Sequence, residues 1–114
     1  MNIETFKNKL QANAKTIAFA DTMSTIEANY TFTPTAFING ALKNTAGENS
    51  GSCKLFAFAK KQGFTKEETL ACFGKFYFED VLEDPNGSGH QNIRNFMKTG
   101  FEGLVFEGDA LTEK

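Results

Sequence analysis

The sequence contains one histidine and one arginine, His90 and Arg94, four residues apart. On a helix that spacing puts both on one face, at the border of an arc made by Ile93 and Met97. A third group draws attention upstream. If residues 66 to 82 form one helix, Asp80 falls inside an apolar arc with Phe73, Phe76 and Tyr77. A carboxylate in such a place must be paired, because burying it alone is very costly. The predicted arrangement is a buried ion pair between Asp80 and Arg94 that locks two helices together. A guanidinium can meet a carboxylate with two parallel hydrogen bonds, which a lysine cannot copy. The alternative is a polar pocket in which Asp80 orients His90 or Arg94 toward a ligand. Hydrolytic chemistry would also need a nucleophile beside the histidine. Ser52 and Cys53 are the candidates, but nothing in the spacing brings them to His90, so no catalytic residue is assigned.

The stretch NTAGENSGSCK, residues 44 to 54, resembles a phosphate cradle only at first sight. A P-loop needs four residues between its glycines, followed at once by Lys and then Ser or Thr. Here three residues separate Gly47 from Gly51, and Lys54 comes too late. The simpler reading is a helix start, with Ser50 or Ser52 as the cap. A helix N-terminus beside Lys54 would still offer free amides and positive charge to a carboxylate or phosphate. The candidate residues for binding a small anion or a partner are therefore Asn44, Asn49, Ser52, Lys54, Asp80, His90 and Arg94.

Metal chemistry finds no support in the sequence. DPNGSG, residues 84 to 89, has the local order of a calcium loop. Setting Gly87 at the sixth position, however, leaves Leu82 and Ile93 where anchoring carboxylates belong. One histidine and two separated cysteines are too few ligands for a structural zinc site. Neither a metal nor a cofactor is expected.

These residues need elements to hold them. Asn2 is a candidate cap for a helix over residues 2 to 13, with Ile3, Phe6 and Leu10 on one face. Phe19, Met23, Ile26 and Tyr30 mark a second helix over about 18 to 29. YTFTPTAFIN has strand chemistry, and Pro34 belongs at an edge or bulge because it lacks an amide donor. Asn39-Gly40 reads as a turn. SCKLFAFAKKQ predicts a third helix, stopped by Gly63. Thr65 and Glu68 form a capping box opening the longest helix, about 66 to 82, whose wide apolar face predicts a central position. HQNIRNFMKTG predicts a last helix, ended by Gly100. FEGLVFEG alternates as a strand over 101 to 107. Residues 30 to 38 and 101 to 107 should then pair antiparallel. The expected fold is α+β, with four to five helices packed on a small antiparallel sheet of about two strands, in a single domain over residues 1 to 114.

Composition agrees. The chain has 114 residues, the size of one domain. Its 13 phenylalanines offer large apolar area with no polar handle, so they are most simply core. A net charge of −2, with no run of Lys and Arg, argues against nucleic acid as a partner. No apolar run is long enough to span a bilayer, so no membrane partner is expected. Cys53 and Cys72 form no C-x-x-C pair and sit among apolar neighbours. Buried free thiols in a reducing compartment are expected, with a lone disulfide or a nucleophile as the alternatives. The composition leaves the oligomeric state open.

The motifs AGxNxGSCKxFxFA (residues 46 to 59) and HxNIRNFMxxG (residues 90 to 100), with TFTPTAFING and FEDVLEDPNGSG around them, resemble the HopJ type III effector family. The resemblance runs over about residues 19 to 111. It implies a small bacterial protein, named for effectors that plant pathogens deliver into host cells through a type III apparatus. It implies no known enzymatic activity, cofactor or host target, and a host protein is the expected partner if the chain is secreted. The first twenty residues depart from such leaders, with no serine and an early Glu4. Two expectations for location follow: the bacterial cytoplasm, and secretion into a host cell by a type III system.

Overall fold

A computed structural model of the chain describes residues 2–114. Helix α1 spans Ile3–Ala12, α2 Phe19–Asn29, α3 Ser50–Gln62, α4 Lys66–Ala71 and α5 Gln91–Thr99. Five short strands complete the fold: β1 Tyr30–Phe32, β2 Phe37–Asn39, β3 Leu42–Asn44, β4 Leu104–Phe106 and β5 Leu111–Glu113. The architecture is α+β, as expected, but the strands form two antiparallel sheets, β1-β5 and β3-β2-β4.

The predicted pairing of residues 30 to 38 with 101 to 107 is realised between β2 and β4, where Phe37 faces Phe106 and Ile38 faces Val105. It is narrower than expected, because residues 100–103 wind into a 3-10 turn before β4. β1 pairs instead with β5, a strand missing from the sequence reading, with Phe32 opposite Leu111. The connecting stretches 33–36 and 107–110 are equally long, so one register runs through both sheets. The ladder is interrupted at Pro34, which has no amide proton to give. Thr33 donates to the Ala110 carbonyl on one side of the break, and Glu107 donates to the Ala36 carbonyl on the other. Across the break the inward face changes parity: Tyr30 and Phe32 point inward in β1, Phe37 and Asn39 in β2. A one-residue slip exchanges the faces of a strand, and here both strands slip together.

Helix α1 is capped by Asn2, whose side chain accepts from the Thr5 amide at 2.7 Å. The Thr65–Glu68 capping box forms reciprocally at the start of α4. The single helix expected over 66 to 82 is not there. α4 ends at Ala71, and the chain bends through Gly74, whose φ is +61°. A Cβ at this glycine would stand 2.9 Å from both the Ile17 carbonyl oxygen and the Phe19 nitrogen. The bend therefore needs glycine twice over, for backbone angle and for space. After it, Phe76–Val81 winds as a π-helical turn.

The break moves the centre of the molecule. The central helix is α3, where Cys53 and the run Leu55 to Ala59 are all buried. Phe56 packs its ring against Phe37, Phe73 and Phe96, while Phe58 meets Phe6, Tyr30 and Phe64. Thr22 ties α2 to the bend by donating to the Cys72 carbonyl at 2.8 Å. Both cysteines are free and buried. Among the described residues no helix is long and apolar enough to cross a membrane.

Candidate functional site

The predicted Asp80–Arg94 pair does not form. The π turn rotates Asp80 out of the core, and its side chain is 52% exposed. Its carboxylate meets His90 instead, with Nε2 at 3.1 Å. Arg94 turns the other way. Its Nε donates to the Gly89 carbonyl at 2.6 Å and a terminal nitrogen donates to the Asp84 carbonyl at 2.9 Å, clamping the DPNGSG loop. His90 and Arg94 also do not share a helix face, because His90 precedes α5 in a left-handed conformation, with φ of 55°.

Asn49, the residue before α3, is left-handed too, with φ of 53°. His90 and Asn49 are the two non-glycine residues with positive φ among the described residues. Neither side chain caps the helix it precedes. The expected serine cap is likewise absent, for the Ser50 hydroxyl donates to the Gly47 carbonyl. The first turn of a helix has no intrahelical acceptors for its amides. Among the described residues, the amides of Ser50, Gly51, Ser52, Gln91, Asn92 and Ile93 donate no hydrogen bond.

A buried amide network sets the two helix starts beside each other. Asn92, in the first turn of α5, exchanges hydrogen bonds with Asn44 of β3 and accepts from Asn39 of β2. Asn39 also donates to the Asn92 carbonyl at 2.7 Å. Asn49 donates to the Asn44 carboxamide oxygen at 2.6 Å. One hairpin thus holds the N-termini of α3 and α5. A polar cluster in the core makes sense only when its members satisfy one another, and here Asn39 Oδ1 alone lacks a partner.

Between the two helix starts lies an open cleft of about 420 Å³. Its lining combines Asn49, Gly51, Ser52, His90, Gln91 and Asn92 with the apolar Phe19, Leu42, Phe73 and Ile93. Phe19 packs within 3.1 Å of where a Gly51 Cβ would sit, so the absence of a side chain keeps that wall open. The Phe76 ring lies 5.2 Å from that of His90 and continues the aromatic wall to Phe19.

Of the residues singled out from sequence, Asn49, Ser52 and His90 line this cleft, Asn44 supports it, and Asp80 holds His90 at its rim. Lys54 is not brought in. It lies 3.4 Å from Glu27 and over the Phe32 ring, on the side of α2 and β1. Arg94 lines a different groove, behind α5. Cys53 faces the Thr35 carbonyl, and burial pushes its thiol up from the ordinary range. Asn39 and Asn92 were missed as site residues, because asparagine reads first as a turn or cap residue. Among the described residues no cluster of three His, Cys, Asp or Glu side chains is placed to hold a metal.

A solved structure described as "Crystal structure of unknown function protein VPA0580" superposes with a TM-score of 0.98 at 54% identity, over 100% of this chain and 95% of that one. Among curated proteins none matches the chain. The family model described as HopJ type III effector protein matches residues 3–111, nearly the whole sequence, and the chain belongs to the HopJ family.

Proposed function

We propose that this HopJ-family chain is a binding protein for a small anion that carries an apolar portion, seated in the cleft between α3 and α5. The carrying observation is that six first-turn amides from two helices find no acceptor among the described residues, and five of their residues line one cleft. Each helix N-terminus has the equivalent of about half a positive charge, so two aimed at one space favour a carboxylate or phosphate. The imidazole of His90 stands at the rim, with its Nε2 held by the Asp80 carboxylate. Phe19, Phe73 and Ile93 suit a short carbon skeleton attached to the charged group.

Titration of inorganic phosphate, and separately of benzoate, into isotope-labelled protein tests this. The amide signals of Gly51, Ser52, Asn92 and Ile93 should move together along one saturable curve. Benzoate should bind more tightly than acetate, because only benzoate reaches the aromatic wall. Filling the cleft with Gly51→Leu should abolish the shifts while the fold is retained. No shift at millimolar ligand, or shifts unchanged in Gly51→Leu, would remove the reading.

A second reading concerns where the chain acts. Family membership favours delivery to a host cell as an effector without enzymatic activity, binding a host protein there. A tagged chain expressed in a secretion-competent strain and in an apparatus-null strain separates the cases. Equal retention in both would leave a role inside the bacterium.

A further inference from the structure

We propose that the free edge of β4 takes an extended acidic peptide by strand addition, at a surface separate from the cleft. β4 ends its sheet, since β2 is its sole strand partner. In an antiparallel ladder, residues alternate between bonding their neighbour strand and facing away from it. Gly40 donates to Gly103 and Glu107 donates to Ala36, which puts the bonded phase at Ile38 and Val105. Leu104 and Phe106 therefore turn their other backbone groups outward. The Leu104 amide is used by the Phe101 carbonyl. The Leu104 carbonyl and both the amide and carbonyl of Phe106 have no partner among the described residues.

These groups face a groove rather than open solvent. The groove has a volume of about 510 Å³, with Leu104, Val105 and Phe106 on one side and Ala57, Lys60 and Lys61 of α3 on the other. A neighbouring strand sits about 4.8 Å from an edge, so a wall beyond it can hold side chains while the edge holds backbone. Val105 is 55% exposed, leaving an apolar contact for an alternate residue of the incoming strand. Charge selects the occupant. Lys61 is already held by Asp109 at 3.2 Å, while Lys60 lies over the Phe106 ring with no carboxylate partner among the described residues. An acidic side chain beside the bound strand would meet Lys60. A second copy of this chain fits less well. Two-fold pairing of β4 with β4 would bring both pairs of α3 lysines to one face, like charge against like.

The probe is a blocked peptide, Glu-Val-Thr-Val-Glu, titrated into isotope-labelled full-length protein. The expected result is a saturable shift of the Phe106 amide together with slower exchange of that amide with solvent. A peptide N-methylated at its central residues, which cannot complete the ladder, should not produce it. The lysine-for-glutamate version should bind less tightly, by about threefold to tenfold for one rim charge pair. Lys60→Glu should reverse that preference without touching the fold. The proposal fails if no Phe106 shift occurs at millimolar peptide. It fails equally if the N-methylated or basic peptide binds as well as the acidic one. A Phe106 shift that follows protein concentration alone would assign the edge to a second copy and overturn the peptide.

Discussion

The carboxylate of Asp80 stands 3.1 Å from His90 Nε2, while Arg94, one turn further along the chain, reaches only backbone carbonyls. The two side chains of the first pair are 36% and 52% exposed. Water screens such a pair, so its contribution to stability is about 1 kcal/mol or less. Asp80→Asn should shift the denaturation midpoint little. What it should change is the orientation of the imidazole, read as a move of the His90 ring signals. A loss of several kcal/mol, as for a buried pair, would mean that Asp80 faces inward after all. By the same logic the double change Asp80→Leu with Arg94→Met should recover nothing, because the two groups do not meet.

Arg94 should matter more. Its guanidinium satisfies two carbonyls of the 84–89 loop at once. Hydrogen bonds to a charged donor contribute about 1.5–3 kcal/mol each when well shielded, and less at a half-exposed site. Arg94→Ala is expected to lower stability by about 1–3 kcal/mol in total. Cleavage within residues 84 to 89 under limited proteolysis should accelerate. Arg94→Lys should behave nearly like Arg94→Ala, since one ammonium cannot reproduce the fork.

The two outcomes also show what the sequence could and could not carry. Three local signals were legible, since Asn2, the Thr65–Glu68 box and Gly63 all act as their residue types dictate, whereas the serine cap expected for α3 does not form. The antiparallel pairing of residues 30 to 38 with 101 to 107 was legible in part, from strand-forming residue types and alternation, and it is realised only between 37 to 39 and 104 to 106. Gly74 was the misread signal. It lay inside an otherwise helical apolar pattern, and the reason for it, contact with the backbone of Ile17 and Phe19, is non-local. Once that bend was missed, Asp80 was placed on the wrong face and its partner went with it. The asparagine network failed to register for a related reason. Each residue is ordinary in its own segment, and only the fold brings Asn39, Asn44, Asn49 and Asn92 together.

That network should be cooperative. Asn92→Leu would remove one hydrogen bond from the Asn39 amide group and one from each end of the Asn44 carboxamide, leaving Asn39 the Asn92 backbone carbonyl and Asn44 the Asn49 side chain and the Phe37 carbonyl. Each buried hydrogen bond lost costs about 0.5–1.5 kcal/mol. The effect of Asn44→Ala and Asn92→Ala combined should be smaller than the sum of the single effects, because either change already breaks the shared bonds. Additive losses from chemical denaturation would show that the two amides do not share one network.

Gly74 and Gly63 offer an internal control. Both hold positive φ, +61° and +69°. A left-handed conformation costs an ordinary residue about 1–2 kcal/mol. Nothing stands within 4 Å of a Cβ at Gly63, whereas one at Gly74 meets backbone at 2.9 Å. Gly63→Ala should lose about 1 kcal/mol, and Gly74→Ala clearly more, because backbone cannot swing aside as a side chain can. Equal melting shifts for the two variants would mean that the bend can relax.

Cys72 gives the pH dependence. It is fully buried, and burial, with Glu68 adding to it, pushes its thiol from the ordinary 9.0 up to about 12. In the unfolded chain the thiol ionises near its ordinary value, while in the folded chain it keeps its proton. The unfolded state therefore binds fewer protons between those two values, so stability falls as pH rises through that window. The contribution is fully present below pH 9 and is lost progressively toward pH 12. Cys53 and Tyr77 are raised as well, also chiefly by burial, and act with the same sign. Denaturation midpoints measured from pH 8 upward should decline, and Cys72→Ala, although less stable at pH 8, should decline less steeply. A thiol reagent at pH 8 should leave Cys72 unmodified until denaturant is added. Parallel slopes for parent and variant would show that the Cys72 thiol ionises freely in the folded protein.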